Sequence, residues 1–200
     1  MKIERIRPEE IERRSFEIIT DLLGEQQPPD ETAHIVKRVI HTTADLEYAE
    51  TLYFSENAAQ ILSQALAEGA HIVTDTQMAL SGINKKTLAA FGGQVHCFMA
   101  DEDVARQARE RGVTRACVSM EKAATLSVPL IFAIGNAPTA LLRLDELVRE
   151  GTVRPRLIIG VPVGFVNVVQ SKERIMNAGV PCIVAKGRKG GSNVAQDYIA

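Results

Sequence analysis

Histidine gives or takes a proton near neutral pH, and the sequence holds four: His34, His41, His71 and His96. His41 stands in Val39-Ile40-His41-Thr42-Thr43-Ala44-Asp45. That is near the end of an expected helix, where the carbonyl dipoles favour a positive charge and so an acid role. Taken alone, a histidine in such a place is more often structural than catalytic. His34 lies one heptad earlier on the same helical face. At 1.5 Å per residue the two are about 10 Å apart along the axis, too far to share one ion, so no metal site is expected. His71 and His96 fall in strand-like runs and read as structural.

Four further stretches carry loop chemistry. Gly135-Asn136-Ala137-Pro138-Thr139 follows an apolar run and opens a helix. Glycine permits close backbone approach, proline suits a first turn, and the free N–H groups there would hold an anion. An ordinary strand–helix turn would look the same. Pro162-Val163-Gly164-Phe165-Val166-Asn167 is an apolar loop suited to a flat, greasy ligand or to packing. Lys186-Gly187-Arg188-Lys189-Gly190-Gly191-Ser192 concentrates cations and glycines into a local anion site, or into a solvated basic turn. Asp75, in Asp75-Thr76-Gln77-Met78, is expected either to cap the next helix or to orient a catalytic histidine. The GxSxG, HExxH, GxGxxG, Walker and paired-cysteine patterns are absent, which removes support for serine hydrolase, zinc hydrolase, P-loop and standard NAD chemistry.

The elements that would position these residues follow from periodicity. Residues 8–23 and 30–43 read as helices, the first opened by Pro8, Glu9 and Glu10 and the second capped by Asp30. Ile11, Ser15, Ile18, Ile19 and Leu22 share one face of the first. A third helix is expected over 56–67, stopped by Gly69. The runs 71–74, 95–98, 130–134, 157–161 and 182–185 read as five short buried strands, with helices over 101–111, 115–126, 138–150 and 168–178. The expected fold is a three-layer doubly wound α/β domain: a mainly parallel five-stranded sheet with extra N-terminal helices. In such folds ligands bind at the carboxyl ends of strands, where all four loops fall. The 200 residues suit one domain.

Composition narrows the partners. The formal net charge is −2, and aromatic residues make up 4% with no Trp. Neither a nucleic-acid field nor a base-stacking platform is therefore expected. The three cysteines are isolated in apolar runs and read as buried and reduced. The opening MKIERIRPEE lacks a secretory apolar core, and no apolar run is long enough to span a bilayer. The chain reads as cytoplasmic, with no membrane partner.

VIHTTADLEY (39–48), DTQMALSGI (75–83), GNAPTALLRL (135–144), RPRLIIGVPVGFVNVVQSKE (154–173) and GRKGGS (187–192) resemble the precorrin-8X methylmutase family, which includes the cobalt-precorrin-8 enzymes. The resemblance runs from about Ser15 to Ser192, with the motifs in order. It implies a homodimeric isomerase of cobalamin biosynthesis that shifts a methyl group from C-11 to C-12 of precorrin-8X or cobalt-precorrin-8, without a cofactor or a metal of its own. It makes His41 the catalytic acid. It puts Ser15, Arg115 and Asn84 at substrate-contacting positions. The carboxylates of the macrocycle would meet Gly135, Asn136, Thr139, Arg115, Arg188 and Lys189. The Gly164 loop would meet the ring face, and Asp75 would support the site. Asn167-Val168 replaces the more usual Gly-Ala after PVGFV, and Lys186 stands where Arg is common. A non-catalytic corrinoid carrier and a phosphate-dependent transferase are the competing classes. The first has no need of an acid at position 41, and the second lacks a P-loop lysine.

Overall fold

Proline, acid and apolar spacing set the first helices. The computed structural model describes residues 4–198. Its chain divides into two compact units, one ending at Glu50 and one starting at Thr51. In the first, a 3-10 turn over Pro8–Glu10 leads into α1 (Ile11–Leu23), and α2 (Asp30–Thr43) packs on α1. Asp30 is not the cap expected of it. Pro29, with φ −53° and ψ 143°, occupies that position, and Asp30 is the first helical residue. There it still places negative charge at the positive helix end. Ala44 closes α2 in the left-handed region, with φ 54° and ψ 26°. A short α3 (Tyr48–Thr51) leads out of the unit.

The second unit contains β1 (Leu52–Phe54), α4 (Ala58–Ala67), β2 (His71–Thr74), α5 (Gln77–Gly82), α6 (Lys85–Ala90), β3 (Val95–His96), α7 (Glu102–Arg111), α8 (Arg115–Ala123), β4 (Leu130–Ile134), α9 (Pro138–Arg149), β5 (Leu157–Gly160), α10 (Val168–Met176), β6 (Cys182–Ala185) and α11 (Ser192–Asp197). They build one six-stranded sheet in the order β1-β6-β5-β4-β2-β3. The five strands from β2 to β6 are parallel, as expected of a doubly wound fold. The sixth, β1, was not expected. It pairs antiparallel with β6, Leu52 opposite Ala185. Its three half-buried residues are too short for a period to show. β3 is shorter than the run 95–98, because Phe98–Ala100 winds into a 3-10 turn.

Strands buried on both faces explain the continuous apolar runs. Val73, Phe132, Ile134, Ile158 and Val184 share a core with Met120, Leu141, Leu144 and Ile175 of α8, α9 and α10. The alternate strand residues Ile72, Ile131, Ile159 and Ile183 are fully buried as well. α4, α5 and α11 pack on β5, β2 and β4. From β2 the chain winds outward to β3, then returns to β4 on the other side of β2. The point where the winding reverses, between the carboxyl ends of β2 and β4, is where doubly wound folds open a crevice.

Candidate active site

In the first unit, the 14 residues of α2 carry His34, Arg38 and His41 on one face. Phe16 of α1 sits against all three. Its ring meets His34 edge-on at 6.2 Å and His41 edge-on at 5.8 Å, and the Arg38 guanidinium carbon is 5.8 Å from its centre. Arg38 also pairs with Glu12 at 2.7 Å. The Ser15 hydroxyl lies 2.8 Å from His41 Nδ1. His41 is exposed, in the last turn of α2. One ring nitrogen is therefore held by α1 and one aromatic edge supports the ring. Among the described residues no hydrogen bond reaches Nε2, which is left to serve proton transfer. The two residues that the motifs single out in this unit meet directly. Ser15, expected as a substrate contact, has its hydroxyl against His41 Nδ1.

In the second unit, Asp75 is 1% exposed and directly follows β2 at the crevice. Its Oδ1 accepts from Gly135 N–H at 2.9 Å, and its Oδ2 accepts from Asn136 and Ala137 N–H at 2.8 and 2.6 Å. Burial pushes this carboxyl up, and the three N–H bonds pull it back. Two expectations are corrected here. Asp75 does not cap the next helix; Thr76 does, accepting from Ala79 N–H at 3.1 Å. Nor are the N–H groups of Gly135 and Asn136 open to an outside anion, because the chain supplies its own carboxylate at the turn. What the turn can offer a ligand is the exposed Asn136 side chain. Gly135 provides the close approach expected of it, but to the chain itself. A Cβ there would lie 2.7 Å from the Gly191 carbonyl oxygen and 2.7 Å from Ser192 Cα.

The loops after β2, β4, β5 and β6 are thus tied together. The Thr76 and Ser192 hydroxyls are 2.8 Å apart. Gly191 N–H donates to Val161 O at 2.9 Å, and Gly164 N–H donates to Arg188 O at 3.1 Å. Gly190, at φ +156°, passes so close to Val161 that a side chain would run into its carbonyl. Asn167 takes φ 57° at the N-cap of α10. Glycine takes this left-handed shape freely and Asn tolerates it, so the Asn in place of the usual Gly keeps the turn. Phe165 and Val166 project from the loop at 82% and 79% exposure. Arg188 is exposed on the neighbouring loop. Lys186 Nζ lies 5.3 Å from the Tyr53 ring centre.

Lys172 is the residue the sequence reading missed. Its side chain is 1% exposed, and its Nζ donates to the carbonyls of Gly187 and Lys189, both at 2.8 Å. Burial pushes its ammonium down to about 8. The signal was present: Val168 and Ile175 are buried on α10, and helical spacing puts Lys172 on the face they share.

Arg115 opens α8 with an exposed side chain. Beside it, Thr114 caps the helix by accepting from Cys117 N–H at 3.2 Å, and its hydroxyl donates to Thr139 at 2.8 Å. This bridge joins the start of α8 to the first turn of α9. A cavity of about 500 Å³ opens next to it, lined by Thr114, Cys117, Thr139, Leu142 and Arg143 among others. Of the expected site residues it includes Thr139 alone, so it is not the gathering point of the loops. Asn84 caps α6, its Oδ1 accepting from Thr87 N–H at 3.1 Å. Among the described residues, no hydrogen bond joins it to the other candidates. Among the described residues, no group of three or more His, Cys, Asp or Glu side chains is arranged to hold a metal ion. No helix among them is long and apolar enough to cross a membrane.

Comparisons with known proteins place nearly the whole chain beside one family. A sequence profile described as precorrin-8X methylmutase matches residues 10–199. The cobalt-precorrin-8 methylmutase of Priestia megaterium is 44% identical over 94% of this chain and 84% of its own length. The precorrin-8X methylmutase of Pseudomonas aeruginosa is 36% identical, covering 92% and 89%. A crystal structure of precorrin-8X methyl mutase from Thermus thermophilus superposes with a TM-score of 0.86 at 37% identity, covering 95% of this chain and 93% of that one.

Proposed function

Because the chain belongs to the precorrin-8X methylmutase family, whose members are isomerases of cobalamin biosynthesis, we propose that it moves the C-11 methyl group of a precorrin-8 macrocycle to C-12 with His41 as the acid. The observation that carries the assignment of the acid is the Ser15–His41 contact at 2.8 Å. With Ser15 accepting from Nδ1–H, the imidazolium keeps Nε2–H for the ring. Hydrogen bonding or proton transfer to the conjugated system draws electron density from the carbon that carries the methyl group and lowers the barrier to a 1,5-shift. The reaction is an isomerisation, so it needs no net proton. The one His41 lends is taken back as the shift completes.

The substrate carries many carboxylates. Arg115, Arg188, Lys189, Thr139 and the exposed Asn136 side chain would take them, each as a hydrogen-bond donor. The Gly164 loop, with Phe165 and Val166 outward, would lie on the ring face. Asp75 acts at one remove, by fixing the turn that presents Asn136 and starts α9. The enzyme works in the cytoplasm as a homodimer. The exposure of Ile11, Ile18 and Leu22 along α1, at 54%, 41% and 63%, supports an apolar contact with a second copy. Identity is higher to the cobalt-precorrin-8 enzyme than to the precorrin-8X enzyme above, 44% against 36%, which favours a cobalt-bearing substrate.

The test offers metallated and metal-free precorrin-8 to wild type and to His41→Ala. Wild type turns over the cobalt form faster. His41→Ala loses at least about 100-fold in kcat while keeping affinity for the corrin product. Unimpaired turnover by His41→Ala would remove the acid assignment, and a preference for the metal-free ring would reverse the choice of substrate.

A further inference from the structure

The turn from Gly187 to Lys189 has all three of its carbonyls bound from below. Lys172 Nζ holds those of Gly187 and Lys189 at 2.8 Å each, and Gly164 N–H holds that of Arg188 at 3.1 Å. Two different elements, α10 and the loop after β5, therefore engage the negative ends of three successive peptide dipoles within the protein. The Arg188 and Lys189 side chains are exposed. Lys172 itself reaches no solvent. Its Nζ donates to neutral carbonyls, and a long apolar side chain would fill the same space without the cost of burying an amine. Such a side chain would leave two carbonyls without donors and the turn free to rotate them outward, toward any bound carboxylate.

Resting on the methylmutase reading, we propose that Lys172 is a positioning residue for substrate: it locks the basic turn with its carbonyls inward, so that the turn meets the macrocycle's carboxylates with donors alone. Its contribution is to binding and not to the methyl shift, since its Nζ is engaged by the two carbonyls of the turn. A neutral amine keeps two hydrogens for two carbonyls, so the clamp does not depend on its charge.

The experiment compares wild type, Lys172→Met, Lys172→Gln and the double variant Arg188→Ala/Lys189→Ala. Three quantities are read: affinity for cobyrinic acid, kcat and KM separately, and amide hydrogen exchange over residues 186–191. Losing two hydrogen bonds should weaken cobyrinic acid binding and raise KM by about tenfold in Lys172→Met. Exchange at 187–190 should be faster and kcat should hold within about threefold. Lys172→Gln, which keeps an amide donor, should recover part of the affinity. If Arg188→Ala/Lys189→Ala leaves binding intact, the turn is not a substrate contact and the methylmutase site assignment fails at this loop. If that variant weakens binding but both Lys172 variants bind as wild type does, the positioning role is overturned. Should Lys172→Met not fold, the Nζ resonance in wild type labelled with ¹⁵N-lysine replaces it. Solvent exchange of its hydrogens slowed further by cobyrinic acid supports the clamp, and a signal lost to fast exchange with and without cobyrinic acid overturns it.

Discussion

Ser15→Ala is the most informative perturbation of the first unit. Alanine is the better helix former by a few tenths of a kcal/mol, and Ser15 lies inside α1, so folding should be unharmed. What disappears is one hydrogen bond, 2.8 Å long, to His41 Nδ1. The Phe16 edge at 5.8 Å still supports one side of the imidazole. The ring is therefore loosened and not released. A net hydrogen bond contributes about 1 kcal/mol, and more when one partner is charged. The contact is exposed, so the lower value applies. At 1.36 kcal/mol per tenfold, kcat should fall about five- to tenfold while KM changes less than about twofold. The assay is steady-state turnover of cobalt-precorrin-8 across a double-mutant cycle with His41→Ala. If Ser15 acts by holding His41, removing Ser15 in the His41→Ala background should cost nothing further. A second five- to tenfold loss in that background, or a rise confined to KM, would refute the reasoning. It would return Ser15 to direct contact with substrate.

Two further outcomes follow from the second unit. Asp75→Asn keeps the shape but sets an amide against three converging N–H donors, which should cost about 3 kcal/mol. Thermal unfolding should drop by roughly 6–12 °C, and a loss under about 2 °C would mean the turn at Gly135 stands without this carboxylate. Lys172 makes stability depend on pH in the alkaline range. Its folded value is about 8 against an ordinary 10.5, so between these the unfolded chain binds more protons. Stability should therefore rise with pH across that window, with a ceiling of about 3 kcal/mol. Denaturant unfolding of wild type and Lys172→Met from pH 7 to 10.5 isolates this part, because other groups cancel in the difference. A difference that is flat with pH would show that Lys172 is not depressed.

Much of the architecture was legible before folding because strands buried on both faces are written as unbroken apolar runs. Four of the five expected strands appear with their ends within a residue, and the helices between them follow the period of their apolar positions. β1 escaped because three residues against one neighbour carry no period. α5, α6 and α11 escaped because six-residue helices hold less than two turns of pattern. The motif residues were legible in kind: a histidine near a helix end, glycines where loops turn, and cations after β6.

Their partners were not legible, because partners are chosen in space. Chain order shows Asp75 beside Thr76 and suggests a helix cap. The sheet order puts β2 next to β4, and that adjacency hands its carboxylate to N–H groups sixty residues away in sequence. Chain order shows Ser15 on one helix and His41 on another, and only the packing of α1 on α2 brings hydroxyl to imidazole. The sequence by itself determined which chemical groups the protein has and which secondary structure carries them, since local backbone preference and side-chain period act over a few residues. Tertiary structure decided which group each one serves. A hydrogen bond needs its atoms about 3 Å apart, and only the folded chain sets that distance.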